Sequence, residues 1–409
     1  MSILNVIGLG YIGLPTSLMF AAHGIDVVGT DFNKELIDTL NSGKLTFEED
    51  GLDELFNDAI RKGIKFTSEY QETDRYLITV PTPYISESKK IDPSYVVSAV
   101  KSVLKVCKKG TILIIESTIS PGTIDRFVRP IIEKAGLKIG EDINLVHAPE
   151  RIIPGRMVKE LKNNSRTIGA DNIEVGEEVR RWYKSFCMGD IVVTDIKTAE
   201  MSKVVENTFR DINIAFANEL ARICNREGMD VYNLINIANK HPRVNILQPG
   251  PGVGGHCISV DPWFLVGDYP DIVNVIKAAR EVNDYAPRYV YSRIKEIMKE
   301  NSIGDFSEVG LYGLTYKENV DDTRESPTLQ LLDVMKNDGV FNVKVYDPMV
   351  NKNIVENQYT SLDAFLANIK LVVVLVGHDE IKHNQEMLQE RIVFDTRDII
   401  ENGEKIYKI

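Results

Sequence analysis

At 409 residues the chain is too long for one ordinary hydrophobic core, which implies two or three domains. It is 43% hydrophobic and 26% charged, a globular composition. A formal net charge of −12 argues against a nucleic-acid partner and leaves any anionic ligand to helix N-termini and individual Arg or Lys side chains.

The four cysteines, Cys107, Cys187, Cys224 and Cys257, lack CxxC pairing or metal-like spacing. A reduced, cytoplasmic protein with no disulfide staple and no metal site is therefore expected. No apolar run approaches the roughly 18 to 20 residues that cross a bilayer, and MSILNVIGLGYIG opens as a strand rather than a leader, so no membrane partner is expected.

In chain order, ILNVIGLG reads as a strand and glycine turn, followed by a helix to about His23 and a second strand in DVVGTD. RYLITV (75–80), TILIIES (111–117) and INLVHAP (143–149) are further buried-strand candidates separated by helical stretches. This alternation predicts a parallel, doubly wound sheet over 1–195. From about residue 197, TAEMSKVVENTFRDINIAFANELARICNREG runs without Gly or Pro until its end, which predicts a long spine helix between domains or at a dimer interface. A central helical region over 196–300 includes the glycine-rich stretch 249–255. Over 301–409 an α/β pattern returns: strands in EVGLYGL, NVKVYDP, KLVVVLVG and RIVFDT, with a helix over 326–339. The fold class is thus α/β, two Rossmann-like doubly wound domains joined by a central helical region.

Gly8-Leu-Gly10-Tyr11-Ile12-Gly13 lies between a strand and a helix, and Asp31 ends the next strand 18 residues after Gly13. Such glycines permit a tight turn, close approach of a pyrophosphate and close helix packing, and the acid suits a ribose 2′-hydroxyl. An acid there would repel a 2′-phosphate, which favours NAD over NADP. The alternative is a glycine turn needed only for folding.

In PGPGVGGHCISVDP (249–262), Gly252, Gly254 and Gly255 let backbone approach a ligand, with Cys257 at the edge of the loop. A helical turn would put Asp261 on the same side as Cys257. A thiolate in a dehydrogenase is useful for trapping an aldehyde that can yield a second hydride, although most isolated cysteines are small buried hydrophobes. On the long helix Lys203, Asn207 and Arg210 share a face. Buried beside a cysteine, the Lys and Asn would stabilise an oxyanion; as a solvated stripe, Glu206 and Arg210 would make a surface pair. Glu116-Ser117-Thr118 and His147-Ala148-Pro149-Glu150-Arg151 each end a predicted strand, where doubly wound sheets bind ligands or where turns are capped. Tyr316-Lys317, Asp321-Asp322, Arg324 and Ser326-Pro327 make a nucleotide site before a helix plausible, or else a surface loop of ion pairs.

Together, VIGLGYIGLP, VPTP, ESTISPGT, HAPERIIPG, AEMSKVVENTFRDINIAFANEL, HPRVNILQPGPGVGGHC, VDPWF and GLTYKENVDDTRESP resemble the UDP-glucose/GDP-mannose dehydrogenase family over essentially the whole chain. The resemblance implies NAD-dependent oxidation of the C6 alcohol of a UDP-hexose to a carboxylate. Cys257 would be the nucleophile, Lys203 and Asn207 would stabilise oxyanions, Asp261 and Thr118 would position water, and Glu150 would serve thioester hydrolysis. Gly8, Gly10, Tyr11, Ile12, Gly13, Asp31, Thr82, Pro83, Thr118 and Arg324 would face the cofactor. Arg151, Lys203, Asn207, Arg210, His241, Arg243, Gly254 and Lys317 would face the UDP-sugar. Arg243 corresponds to an arginine supplied by a neighbouring subunit, which implies a homodimer or larger homo-oligomer.

UDP-glucose members carry a second glutamate where this chain has Pro154 and an aromatic where it has Arg151. The hexose contacts have therefore changed, and RDINIA with Arg210 and Asp211 resembles the N-acetylmannosamine branch, which serves surface polysaccharides. UDP-N-acetylglucosamine and UDP-glucose are the alternative substrates. A two-electron dehydrogenase of the 6-phosphogluconate or hydroxyacyl type would need neither the third domain nor Cys257. A non-catalytic nucleotide-binding protein would have no use for Cys257, Lys203 and Asn207 together.

Overall fold

The computed structural model describes residues 3–255 and 257–409. The chain divides into two compact units, with the boundary between Glu206 and Asn207. Among the described residues, no helix is long and apolar enough to cross a membrane.

The first unit holds β1 (Leu4–Ile7), β2 (Val27–Thr30), β3 (Lys65–Thr67), β4 (Arg75–Ile78), β5 (Thr111–Ile115), β6 (Ile143–His147), β7 (Arg166–Ala170) and β8 (Ile191–Thr194). They form one sheet in the order β3-β2-β1-β4-β5-β6-β7-β8. Its first six strands have the crossover order of dinucleotide-binding folds, with the switch point between β1 and β4. Every residue of β1, β2, β5 and β7 is buried, as expected for strands covered on both faces. The sheet departs from the expected all-parallel pattern at one place: β7 runs antiparallel to β6, pairing Val146 with Ala170 and His147 with Gly169. Strands β3, β7 and β8 were not foreseen in the sequence.

The second unit carries β9 (Val309–Tyr312), β10 (Lys344–Tyr346), β11 (Gln358–Tyr359), β12 (Leu371–Val374), β13 (Ile392–Asp395) and β14 (Ile406–Lys408). All pair in parallel, in the order β11-β10-β9-β12-β13-β14, which repeats the order of the first six strands. The first turn is repeated too. Gly313 (φ +101°) after β9 matches Gly8 (φ +92°) after β1, and Asp347 after β10 accepts from Leu314 N at 2.5 Å as Asp31 accepts from Leu9 N at 2.8 Å. Beyond the turn the two diverge. Thr315 stands where the first unit has Gly10, and its buried hydroxyl bonds the Lys317 carbonyl at 3.0 Å, so this second turn is filled by its own side chain.

The spine helix runs from Ile196 to Glu227, 32 residues, and the division between the units falls inside it. It is followed by helices Asp261–Asp268 and Asn274–Glu300.

Candidate active site

The glycines after β1 divide their work as the sequence implied. A Cβ on Gly8 would lie 2.9 Å from the Thr79 carbonyl oxygen, and one on Gly13 would overlap the Gly8 carbonyl oxygen and the Thr79 hydroxyl. At Gly10 a Cβ would meet nothing within 4 Å. Gly8 therefore makes the turn, Gly13 seats the helix, and Gly10 leaves room for a ligand. The helix Gly13–Ala22 opens at Ile12 with no side-chain cap and no acid in its first turn; Leu14 N is already bonded to the Gly10 carbonyl oxygen and Pro15 has no N–H, so what this end offers an anion is the positive end of the helix rather than a row of free N–H groups. Asp31 is fixed by Leu9 N at 2.8 Å and Asn33 N at 2.9 Å. These residues fit a dinucleotide: open backbone for the pyrophosphate, an uncapped helix end, and an oriented carboxylate for a ribose. Tyr11 packs on Phe47 with ring centroids 4.5 Å apart. Thr82 is buried, Pro83 and Thr118 are half-buried, and Phe32, which the sequence reading passed over, stands 85% exposed beside Asp31.

Behind this crevice lies a buried charged cluster. Glu116 follows β5, Glu150 follows β6, and Arg166 opens β7. The Arg166 guanidinium ion-pairs with Glu116 at 3.2 Å and with Glu150, and Tyr183 donates to Glu116 at 2.9 Å. Burial pushes the Glu116 carboxyl up to about 8, against the pull of Arg166. His147 is buried, hydrogen-bonded through Nδ1 to the Ile115 carbonyl oxygen at 2.8 Å, and burial lowers it to about 4. Arg151 bonds Thr167 at 2.8 Å and Ser165 at 3.2 Å, and pairs with Glu206 at 3.2 Å. Glu206 thus pairs with Arg151 rather than with Arg210 as a surface helix would have had it. The Ser117–Gly122 segment, which holds Thr118, is tied to the spine helix by Glu200, whose carboxylate accepts from Gly122 N at 2.5 Å and Ile124 N at 3.0 Å. Burial pushes Glu200 up to about 7.

On the spine helix Glu200, Lys203, Asn207 and Asp211 are buried, and Arg210 is exposed. The expected face of Lys203, Asn207 and Arg210 is corrected here: the i+8 residue Asp211 takes the buried place because Arg280, itself 2% exposed, bonds it at 2.6 Å. Asn207 donates its side-chain amide to Asp261 at 2.6 Å. Asp261 N in turn donates to the Cys257 carbonyl oxygen at 2.9 Å, the helical turn the spacing implied, and Cys257 is exposed.

The glycine loop has a reason the sequence did not give. A Cβ on Gly254 would sit 2.7 Å from Tyr316 Cβ and from the Glu325 carbonyl oxygen, and one on Gly255 2.8 Å from the Tyr316 ring. The loop packs closely on the segment 316–327, so its glycines answer to packing as well as to any ligand. It is also tethered from below: Gly250 N donates to Asn218 at 2.9 Å, Asn218 to Asn283 at 2.9 Å, and Asn283 to Asp211 at 2.8 Å. Asp211 thus belongs to this buried chain, not to a sugar-facing surface. His241 and Arg243 are exposed, Lys317 is half-buried, and Arg324 is paired with Asp322 at 2.6 Å.

Three family models match in succession. Residues 2–187 match the NAD binding domain, 197–285 the central domain and 310–402 the UDP binding domain of the UDP-glucose/GDP-mannose dehydrogenase family. The chain belongs to that family. It is an NAD-dependent UDP-sugar dehydrogenase, an oxidoreductase. The UDP-N-acetyl-D-mannosamine dehydrogenase of Methanococcus maripaludis is 44% identical over 410 residues, covering 97% of this chain and 93% of the relative. The NDP-N-acetyl-D-galactosaminuronic acid dehydrogenase of Ralstonia nicotianae is 41% identical, covering 96% and 95%. The solved UDP-N-acetyl-mannosamine dehydrogenase of Staphylococcus aureus is 43% identical with a TM-score of 0.89, covering 100% of this chain and 98% of that one.

For this UDP-sugar dehydrogenase, sequence reasoning missed Arg166, Tyr183, Glu200 and Phe32. Glu200 could have been found from its spacing one turn before Lys203. Arg166 carries no local signal, because an arginine opening a short strand ordinarily reads as an exposed strand end.

Proposed function

We propose that the substrate is UDP-N-acetyl-D-mannosamine and that its C6 alcohol is oxidised by four electrons to UDP-N-acetyl-D-mannosaminuronate through a thioester on Cys257. The observation that carries the thiol route is the exposed Cys257 on a turn closed by Asp261, whose carboxylate is held by the buried Asn207. A two-electron alcohol dehydrogenase has no need of that arrangement.

NAD held by the Gly8–Gly13 turn and Asp31 would supply the hydride acceptor, once for the alcohol carbon and once for the thiol adduct. The alcohol proton leaves with Asp261 and Thr118 ordering the water that receives it, and Lys203 with Asn207 stabilises the oxygen as it gains charge. Cys257 Sγ then bonds C6 of the aldehyde, whose oxygen takes up a proton. After the second hydride and that proton leave, a thioester remains. Glu150 removes a proton from water as its oxygen bonds C6; the C–S bond breaks, the sulfur regains the thiol proton and the carboxylate is released.

Arg151, Arg210, His241, Arg243, Gly254 and Lys317 would bind the UDP-sugar, and Arg324 would reach the cofactor. Arg243 would come from a neighbouring subunit, so we read the enzyme as a homo-oligomer. Phe209, Phe216 and Ile223, seven residues apart on the spine helix and each at least half exposed, support this as an apolar stripe for a second copy. The domain division 1–195, 196–300 and 301–409, a cytoplasmic location and supply of a surface polysaccharide complete the reading. The similarity to mannosamine dehydrogenases supports the sugar assignment, and the 41% identity to the Ralstonia enzyme favours UDP-N-acetylgalactosamine as the second reading.

The test is the number of NADH formed per sugar consumed at completion, for UDP-N-acetylmannosamine, UDP-N-acetylgalactosamine, UDP-N-acetylglucosamine and UDP-glucose. Two NADH with the first sugar alone are expected. One NADH would overturn the thioester route; turnover with another sugar alone would overturn the substrate.

A further inference from the structure

We propose that Arg166 is a positioning residue for Glu150, one member of a buried Glu116–Arg166–Glu150 clamp that sets the carboxylate for thioester hydrolysis. The inference rests on the hydrolytic role proposed for Glu150.

The reversed strand explains how Arg166 arrives there. Because β7 runs antiparallel to β6, its first residue lies beyond the C-terminal end of β6, the edge where doubly wound sheets bind ligands. Had β7 been parallel, Arg166 would open at the opposite edge. The side chains of Arg166, Glu116 and Glu150 are 4%, 0% and 3% exposed, so this is no solvated surface pair.

Both oxygens of Glu150 are engaged. Oε1 accepts from Arg151 N at 2.6 Å, and Oε2 meets Arg166 Nη2. Two contacts on one carboxylate fix its plane as well as its place. Arg166 is itself held from behind: Nη1 donates to Glu116 Oε1 at 3.2 Å, and its guanidinium lies over the Tyr183 ring at 4.4 Å and the Phe186 ring at 5.6 Å. Tyr183 donates to the same Glu116 oxygen at 2.9 Å. Burial pushes the Glu116 carboxyl upward against the pull of Arg166, so of the two carboxylates on the guanidinium Glu116 is the one whose charge the site disfavours. A buried ion pair is poor evidence for stability, since apolar residues of equal volume often serve as well. A guanidinium that reaches the reacting carboxylate with one arm while the other is anchored on Glu116, both held from a strand, is what positioning of a base requires.

The experiment mixes enzyme with UDP-N-acetylmannosamine and NAD, follows NADH, and quenches samples for intact mass to count protein carrying the acyl group on Cys257. Glu150→Gln should accumulate that adduct. Arg166→Lys, which keeps the charge but loses the fork, should release both NADH at the normal rate and lengthen the adduct's lifetime roughly tenfold, a fraction of the about 10² to 10⁴ that a positioned base supplies. NAD affinity, unchanged, certifies the fold. Should Arg166→Lys fail to bind NAD, Glu116→Leu leaves the Arg166–Glu150 pair intact, removes the rear support and should prolong the adduct about threefold. Adduct in Glu150→Gln without adduct in the Arg166 or Glu116 variant, or equal slowing of hydride transfer and hydrolysis, assigns Arg166 to structure and overturns the inference. No adduct in Glu150→Gln overturns the reading of Glu150 itself.

Discussion

Alanine at Gly10 and at Gly13, three residues apart in one turn, should damage the enzyme in different ways. The Gly13 methyl would overlap the Gly8 carbonyl oxygen, a backbone atom that already accepts from the Thr79 hydroxyl at 2.6 Å. Overpacking of this kind costs about 1–3 kcal/mol, and the better helix propensity of alanine returns up to about 1 kcal/mol. The net loss of about 1–2 kcal/mol should lower the Tm of the cofactor-free enzyme by roughly 2–8 °C. The Gly10 methyl meets nothing within 4 Å, so G10A should melt within about 1 °C of the parent. It projects instead into the space left for the pyrophosphate, and a clash of about 1–3 kcal/mol there raises the Kd for NAD roughly ten- to a hundredfold. Thermal melting without cofactor and calorimetric titration with NAD separate the two effects. G10A binding NAD within about twofold of the parent, or an equal loss of Tm in both variants, would refute this division of roles between the two glycines.

Two further outcomes follow from the spine helix. Burial raises Glu200 from 4.5 to about 7, so the fold favours its protonated form; that contribution is complete below about 4.5 and is lost as pH rises through about 7. Glu200→Gln cannot lose it, so melting curves from pH 4.5 to 8 should show the variant gaining on the parent as pH rises, and a constant difference would discount this carboxyl. Phe216→Glu places a charge in the exposed apolar stripe and should shift the enzyme to smaller species by sedimentation, with unchanged helix content; an unaltered oligomer would move the interface elsewhere.

The first strand, glycine turn, helix and Asp31 were legible because each rests on local backbone chemistry. So was the Cys257–Asp261 turn, set by four-residue spacing. The place of Asp211 was not: i+7 and i+8 both fit one helical face, and the choice is made by Arg280, 69 residues away. Nor was β7, five residues containing Arg and Gly, whose reversed direction depends on pairing with β6. The glycines at 254 and 255 were readable as a close approach, but whether ligand or protein approaches them is decided by Tyr316.

The filled turn after β9 bears on kinetics. With Thr315 occupying the place that Gly10 leaves open, the chain repeats the architecture of a cofactor domain without repeating its vacancy. On the four-electron route one docking place must then serve twice: reduced cofactor departs and oxidised cofactor enters while the half-oxidised sugar waits. Product inhibition by NADH should accordingly be competitive with NAD, and aldehyde should not reach an external carbonyl trap even when the exchange is slow.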